Sequence, residues 1–309
     1  MMVQFMEIKQ ANPGSLLFYR MGDFYEMFFE DAVTAAAALD ITLTKRGKHL
    51  GEDIPMCGVP VHSADAYLER LIRQGHRVAV CEQTESPVEA KKRGAKSVVR
   101  REVVRLVTPG TLTEDTLLDA RQHNYLAALA RIGASSKLGL SWADVSTGDF
   151  YVCELEANAL SAELARLRPG ELLVAENLAQ EDLVQHALGG REGVITPLQA
   201  SQFDSARAER RLKDMLNVAA LDAYGTFSRV ELAAAGALVD YLELTQVGRM
   251  PVMKAPKQIR SGTAMAMDAA TRANLELTRT MSGDTKGALL ATLDRTVTGP
   301  GARVLGERL

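Results

Sequence analysis

Leu16-Leu17-Phe18-Tyr19-Arg20-Met21-Gly22-Asp23-Phe24-Tyr25-Glu26 is the stretch whose reading decides how this chain folds. Leu16 to Arg20 reads as a strand, and after a break an aromatic ring at 24 and a carboxylate at 26 stand two residues apart. Phe24, Met27 and Phe28 also fall at i, i+3 and i+4, which by itself reads as one apolar helix face. On that reading Glu26 is an ordinary solvated acid near a helix start, where the helix dipole favours it.

Outward from this stretch, short apolar runs alternate with helical patterns. Asp31 to Asp40 is Ala-rich and helical, and Ile41 to Leu43 reads as a second strand. Lys45, Arg46 and Lys48 lie in a Gly-containing turn between Thr44 and Leu50. Ala64 to Gln74 carries Ala66, Tyr67, Leu71 and Ile72 on one face and is stopped by Gly75, so it predicts an amphipathic helix. Arg77 to Cys81 and Val103 to Val107 are further strands, and the Thr108-Pro109-Gly110 turn closes the block. This order predicts a small α/β domain with helices on a mixed sheet, over residues 1–112.

A polar linker, Glu114 to Asn124, leads to a second block. Tyr125 to Arg131, Leu138 to Val145 and Asp149 to Leu155 read as consecutive strands, with Ser146-Thr147-Gly148 as a hairpin turn. A helix over Ala159 to Arg168 is stopped by Pro169-Gly170, and Leu172 to Ala175 is a buried strand. Helices follow at Arg207 to Leu216 and Val230 to Leu244. Three hairpin strands, then helix, strand and helices, resemble the ribonuclease-H-like arrangement, over residues 113–250. A third block, 251–309, opens after Pro251 and Pro256 and reads as the start of an all-α domain. Its last helices are expected to lack partners for their apolar faces.

Composition bounds the function. With 47% hydrophobic and 24% charged residues the chain is globular rather than disordered. The net charge of −3 makes any nucleic-acid affinity a property of local patches. No apolar run is long enough to span a bilayer, and no basic-then-apolar leader opens the chain. Cys57, Cys81 and Cys153 are odd in number and far apart, which fits a reducing cytoplasm and no metal spacing. The phosphate-cradling pattern G-x-x-x-x-G-K-[ST] does not occur.

Residues 16–28, with Leu43-Thr44-Lys45-Arg46-Gly47, Ile54-Pro55-Met56-Cys57-Gly58-Val59-Pro60 and Val103 to Gly110, closely resemble the MutS family of DNA mismatch repair proteins. Met267 to Leu277, Leu293 to Thr298 and Gly301 to Leu305 resemble the start of that family's core domain. The resemblance implies a mismatch-recognition domain, a ribonuclease-H-like connector and a truncated core. The family's ATPase, with its ATP and Mg²⁺, lies outside these residues, so the chain reads as a binding fragment with no cofactor of its own.

Phe24 matches the family's wedge. A mispaired or unpaired base stacks poorly, so unstacking and bending there cost less than at a good step, and specificity becomes a difference in DNA mechanics. Glu26 beside it accepts from a thymine N3–H or, protonated, donates to a purine N7. On matched DNA its charge is repelled without compensation. Lys45, Arg46 and Lys48 are expected to hold phosphates, which positions the protein without reading sequence. His62, Arg100 and Arg101 are weaker candidates. The densest positive run joins Lys91-Lys92-Arg93 to Lys96, Arg100, Arg101 and Arg105. His62 follows Val61 where many relatives carry Tyr.

Asp144, on an apolar strand, raises the alternative of a metal-dependent nuclease on the second domain, with no second and third carboxylate to complete it. Asp149 beside Gly148 reads as turn chemistry. A MutS-like recombination protein without mismatch specificity is the other alternative, and Phe24-Tyr25-Glu26 argues against it. Further implied partners are mismatched double-stranded DNA, a second copy in the whole protein and a MutL-type repair protein, in a bacterial cytoplasm at the nucleoid and away from membranes.

Overall fold

Leu16–Met21 (β1) and Phe24–Phe28 (β2) pair antiparallel, with Met21 opposite Phe24 and only Gly22 and Asp23 between them. Gly22 takes the positive φ (+62°) that so tight a hairpin needs at its first central residue. The computed structural model describes residues 1–49, 51–94, 97–113, 118–247, 249–260 and 267–309. The chain forms two compact units, Met1–Thr111 with Glu243–Met250, and Leu112–Leu242 with Pro251–Leu309.

In the first unit, α1 (Met2–Ala11) precedes β1, and α2 (Phe29–Leu39) follows β2. Then come β3 (Thr44–His49), β4 (Glu52–Pro60), α3 (Ala64–Arg73), β5 (Val78–Gln83), α4 (Pro87–Arg93) and β6 (Arg101–Val107). The sheet order is β3-β4-β2-β1-β5-β6, mixed because β1 and β5 run parallel.

Residues 24–28 are thus a strand and not the helix that the spacing of Phe24, Met27 and Phe28 suggests. Backbone pairing on both edges, to β1 and to β4, outweighs that local periodicity. Two further expectations are corrected. Ile41–Leu43 is a connection between α2 and β3, not a strand. Thr44 to His49, read as a turn, is itself the strand, because β4 offers it an antiparallel partner on either side of one bulge. Leu50, Lys96 and 114–117 of the expected linker lie outside the described residues.

Asp31 ties three elements together. Its carboxylate, 6% exposed, accepts from the Leu17 backbone N–H at 3.0 Å and from Lys9 Nζ at 2.7 Å, joining α2 to β1 and α1. Phe5 of α1 packs edge-on against Tyr19 at 5.4 Å and Phe28 at 5.1 Å. Cys57, Cys81 and Cys153 are buried and unpaired, and burial pushes their thiols up to about 11, 12 and 12, away from reactivity.

The second unit starts with the meander β7 (Tyr125–Arg131), β8 (Lys137–Asp144) and β9 (Asp149–Glu156). After α5 (Leu160–Leu167), β10 (Glu171–Ala175) pairs parallel to β7. Helices α6 (Glu176–Ala179) and α7 (Asp182–Leu188) precede β11 (Ile195–Leu198), which is parallel to β10. Then follow α8 (Ser205–Leu216), α9 (Arg229–Thr245) and a two-residue edge strand, β12 (Lys257–Gln258). The order β11-β10-β7-β8-β9-β12 is the mixed arrangement expected of a ribonuclease-H-like domain.

Residues after Pro251 share this unit, with α10 (Ala269–Asn274), α11 (Leu289–Leu293) and α12 (Gly299–Glu307). Their apolar residues are not uniformly bare. Leu277, Ala288 and Ala302 are buried, whereas Leu293, Val297 and Val304 are at least half exposed.

Gly139 of β8 lies against the start of α9, where a Cβ would come within 2.0 Å of the Val230 carbonyl oxygen. Gly139→Ala is expected to lower unfolding stability by about 2 kcal/mol or more, because backbone cannot yield as a flexible side chain does. Denaturant unfolding, with Gly193→Ala as a comparison free of both crowding and positive φ, measures it.

Candidate nucleic-acid interface

On a strand, residues two apart share a face, so Phe24, Glu26 and Phe28 of β2 project together. Their cover thins along that face. Phe28 is 1% exposed beneath Phe5, the Glu26 side chain is 13% exposed, and Phe24 at the hairpin tip is 46% exposed. Tyr25 and Met27 point the other way and are buried. An apolar ring left half in solvent at the end of a rigid hairpin is the unusual feature here.

The tip is held from several sides. Phe24 stands opposite Pro60 of β4, and the Val61 N–H donates to the Asp23 carbonyl at 2.9 Å. Arg20 Nε donates to the Gly22 carbonyl at 2.5 Å. Tyr25 OH donates to Glu82, and burial with that bond pushes the phenol up to about 12. Gly58 faces Glu26, and a Cβ there would sit 3.6 Å from Glu26 Cγ and 3.8 Å from Phe24 Cδ1. The sequence signal for it was present in the Ile54–Pro60 motif, although Gly58 carries no chemistry to single out.

Two of the expected phosphate-binding cations, Lys45 and Arg46, are engaged with acids. Lys45 pairs with Asp53 at 2.9 Å, and that carboxylate raises the ammonium's pKa. Arg46 forms an ion pair with Glu26 through both carboxylate oxygens. A bulge produces this pairing. Lys45 opposes Pro55 and Lys48 opposes Asp53, so Arg46 and Gly47 together face Ile54 alone. Gly47 adopts φ +73° within it. Such an extra residue bends the strand and re-aims its side chains. The bent hairpin also brings His49 edge-on to Phe29 at 5.8 Å. Lys48 and His62 are exposed, His62 in a single 3-10 turn two residues after Pro60.

Arg100 is exposed, but the structure commits Arg101 to the interior instead of to phosphates. Arg101 is 8% exposed, lies 4.9 Å over the Tyr19 ring, and donates to the Arg20 carbonyl at 2.6 Å and the Val99 carbonyl at 2.9 Å. Its guanidinium therefore props the strand that leads into the hairpin. In the rest of the basic run, Arg93 pairs with Glu85 and Arg105 donates to the Thr111 carbonyl, while Lys91 and Lys92 are exposed.

In the second unit Asp144 is 1% exposed and its oxygens are taken. His123 Nδ1 lies 2.6 Å from one, and the Ser146 N–H and hydroxyl donate to the other at 3.0 and 2.6 Å. Burial pushes the Asp144 carboxyl up, but these bonds prevail and hold it below the usual range. Asp149 accepts from Thr147 Oγ1 and Lys254 Nζ, each at 2.7 Å. Among the described residues no three His, Cys, Asp or Glu side chains could hold a metal ion. The described residues do not assemble the carboxylate set that a two-metal nuclease needs. Among the described residues no helix is long and apolar enough to cross a membrane.

Two family models match the chain: MutS domain I over residues 1–116 and MutS domain II over 124–254. The chain belongs to the MutS family. Its MutS relatives include proteins named DNA mismatch repair protein MutS from Ruegeria pomeroyi, 60% identical, and Nitrobacter winogradskyi, 59% identical. Another, from Paracoccus denitrificans, is 58% identical. All of this chain is covered, but it spans only 34–35% of the length of these MutS relatives.

Two outcomes follow from this geometry. Arg101→Ala should destabilise the first unit by about 2–3 kcal/mol, since a buried charged donor set is lost. Arg101→Lys should recover only part of that, because an ammonium lacks the planar fork. Chemical denaturation of both variants checks it. The Asp144 contribution, from a depressed carboxyl pKa, is present above the unfolded value of about 3.9 and is lost as pH falls through the folded one. Thermal midpoints of wild type and Asp144→Asn, compared between about pH 6 and pH 2, should therefore converge toward the acid end.

Proposed function

We propose that this chain recognises mispaired and unpaired bases in duplex DNA, as the first step of mismatch repair. Phe24 is the wedge, and its exposure at the tip of the pinned β1–β2 hairpin is the observation that carries the reading. Insertion of an apolar side chain between base steps costs a few kcal/mol of unstacking, least where pairing is already poor. Glu26, on the same face two residues on, meets the base that the wedge displaces. Lys45, Lys48 and His62 flank this face and hold backbone phosphates, with Arg100 and the exposed lysines of α4 as more distant contributors.

The names of the MutS relatives support this role, as does the match to MutS domain I. In the same reading the second unit relays the bound state to further parts of a longer protein and meets a MutL-type repair partner. A second copy of the protein then completes the clamp around the DNA. The chain's own part is binding rather than catalysis, and nucleotide hydrolysis belongs to the whole protein, in the bacterial cytoplasm with its DNA.

The test is a titration of the 309-residue chain against a labelled duplex with one G·T mismatch and against its matched counterpart, at one fixed salt concentration. A preference for the mismatch of about tenfold, equivalent to ~1.4 kcal/mol, is expected. Phe24→Ala should bring both duplexes to the same affinity. Equal binding by the unaltered chain, persisting when it is fused to a dimerising segment, would leave Phe24 a surface residue and favour a relative without mismatch specificity.

A further inference from the structure

Arg46 and Glu26 pair in the absence of DNA, and this constrains what each can do when DNA arrives. Arg46 is the residue that the bulge in β3 aims back over the sheet, and its Nη1 reaches both oxygens of the Glu26 carboxylate. The Glu26 side chain is 13% exposed and that of Arg46 is 43% exposed. The acid is therefore shielded while part of the guanidinium faces solvent. A guanidinium matches a carboxylate and a phosphate with the same planar geometry, so one group can pass from the first to the second without changing its hydrogen-bonding pattern.

We propose that Arg46 is a specificity-determining residue acting through this exchange, a reading that rests on the mismatch recognition proposed above. On matched DNA no base is displaced, Glu26 has no other partner, and Arg46 stays on it. The pair is then close to neutral and contributes no phosphate contact. At a mismatch the displaced base draws Glu26 away and releases Arg46 onto a backbone phosphate. A backbone contact, which ordinarily carries no sequence information, becomes conditional on what the wedge finds. Lys45 offers the contrast: its partner Asp53 lies on β4, off the wedge strand, so its charge is not tied to the displaced base.

Counterion release reads the exchange directly, because each phosphate neutralised steepens the fall of log K with log salt by about 0.9. The measurement is the salt dependence of binding to matched and G·T duplexes for the 309-residue chain, Arg46→Gln, Glu26→Gln and the double variant. Unaltered protein should show a slope steeper by about 0.9 on the mismatch than on matched DNA. Arg46→Gln should remove that difference by flattening the mismatch slope alone. Glu26→Gln should release Arg46 on both duplexes and steepen the matched slope by the same amount, a gain absent from the double variant. Thermal melts of each variant show that the fold is kept, and a merely structural role for Arg46 would move those melts without moving the slopes.

A mismatch preference with Arg46→Gln lowering both slopes alike, or neither, would overturn the exchange and leave the wedge standing. No mismatch preference in the unaltered chain, even when fused to a dimerising segment, would remove both.

Discussion

Backbone pairing of Phe24–Phe28 along both of its edges is the constraint from which the rest of the first unit follows. A strand held by β1 on one side and β4 on the other cannot rotate, so its side chains are sorted strictly by parity. Tyr25 and Met27 enter the core, while Phe24 and Glu26 share the opposite face. The tight turn at Gly22 then places Phe24 at the very end of the hairpin. The wedge role proposed for Phe24 requires a support that does not bend away. A hairpin anchored by Pro60, Val61, Tyr25 and Arg101 meets that requirement better than an isolated loop would.

Electrostatics in this unit is arranged in pairs rather than as a bare positive surface. Asp31 is buried but receives Lys9 and a backbone donor, and Arg101 is buried but finds carbonyl oxygens and the Tyr19 ring. Near the tip, Lys45 and Arg46 carry their own carboxylates. With an overall charge of −3, any attraction for polyanions rests on local patches. Affinity that depends on releasing a carboxylate is affinity that can be made conditional, as the proposed recognition of an easily deformed duplex requires.

The second unit is organised by close approach. Gly139 admits the start of α9 and Gly236 admits Ala208, so the helices sit directly on their neighbours. Asp144, at the end of β8, closes the Ser146–Gly148 turn and engages His123, which stacks on Tyr125 at 5.0 Å and approaches Glu307 at 3.2 Å. A carboxylate with both oxygens occupied by its own turn and a neighbouring ring has a local structural role, and the same bonds that depress its pKa leave it a poor start for a metal site.

Much of this was legible in the residues themselves. Gly75 and Pro169-Gly170 end helices where their chemistry says they should, and the alternating runs from Tyr125 to Leu155 form the expected meander. The motif singles out Phe24 and Glu26, and the strand puts both on one face. What failed was local. The i, i+3, i+4 pattern at 24–28 and the polar Thr44–His49 segment each point away from a strand, and each became one because a partner strand was waiting. No window of sequence contains that partner. The basic residues show the same limit. Arg46, Arg100 and Arg101 are chemically alike in sequence, yet one grips Glu26, one is exposed, and one is buried over Tyr19. The sequence by itself determined which charges, rings and turns this protein has. Only the tertiary structure decided which of them meet, because pairing across strands brings together residues whose separation along the chain carries no record of their contact.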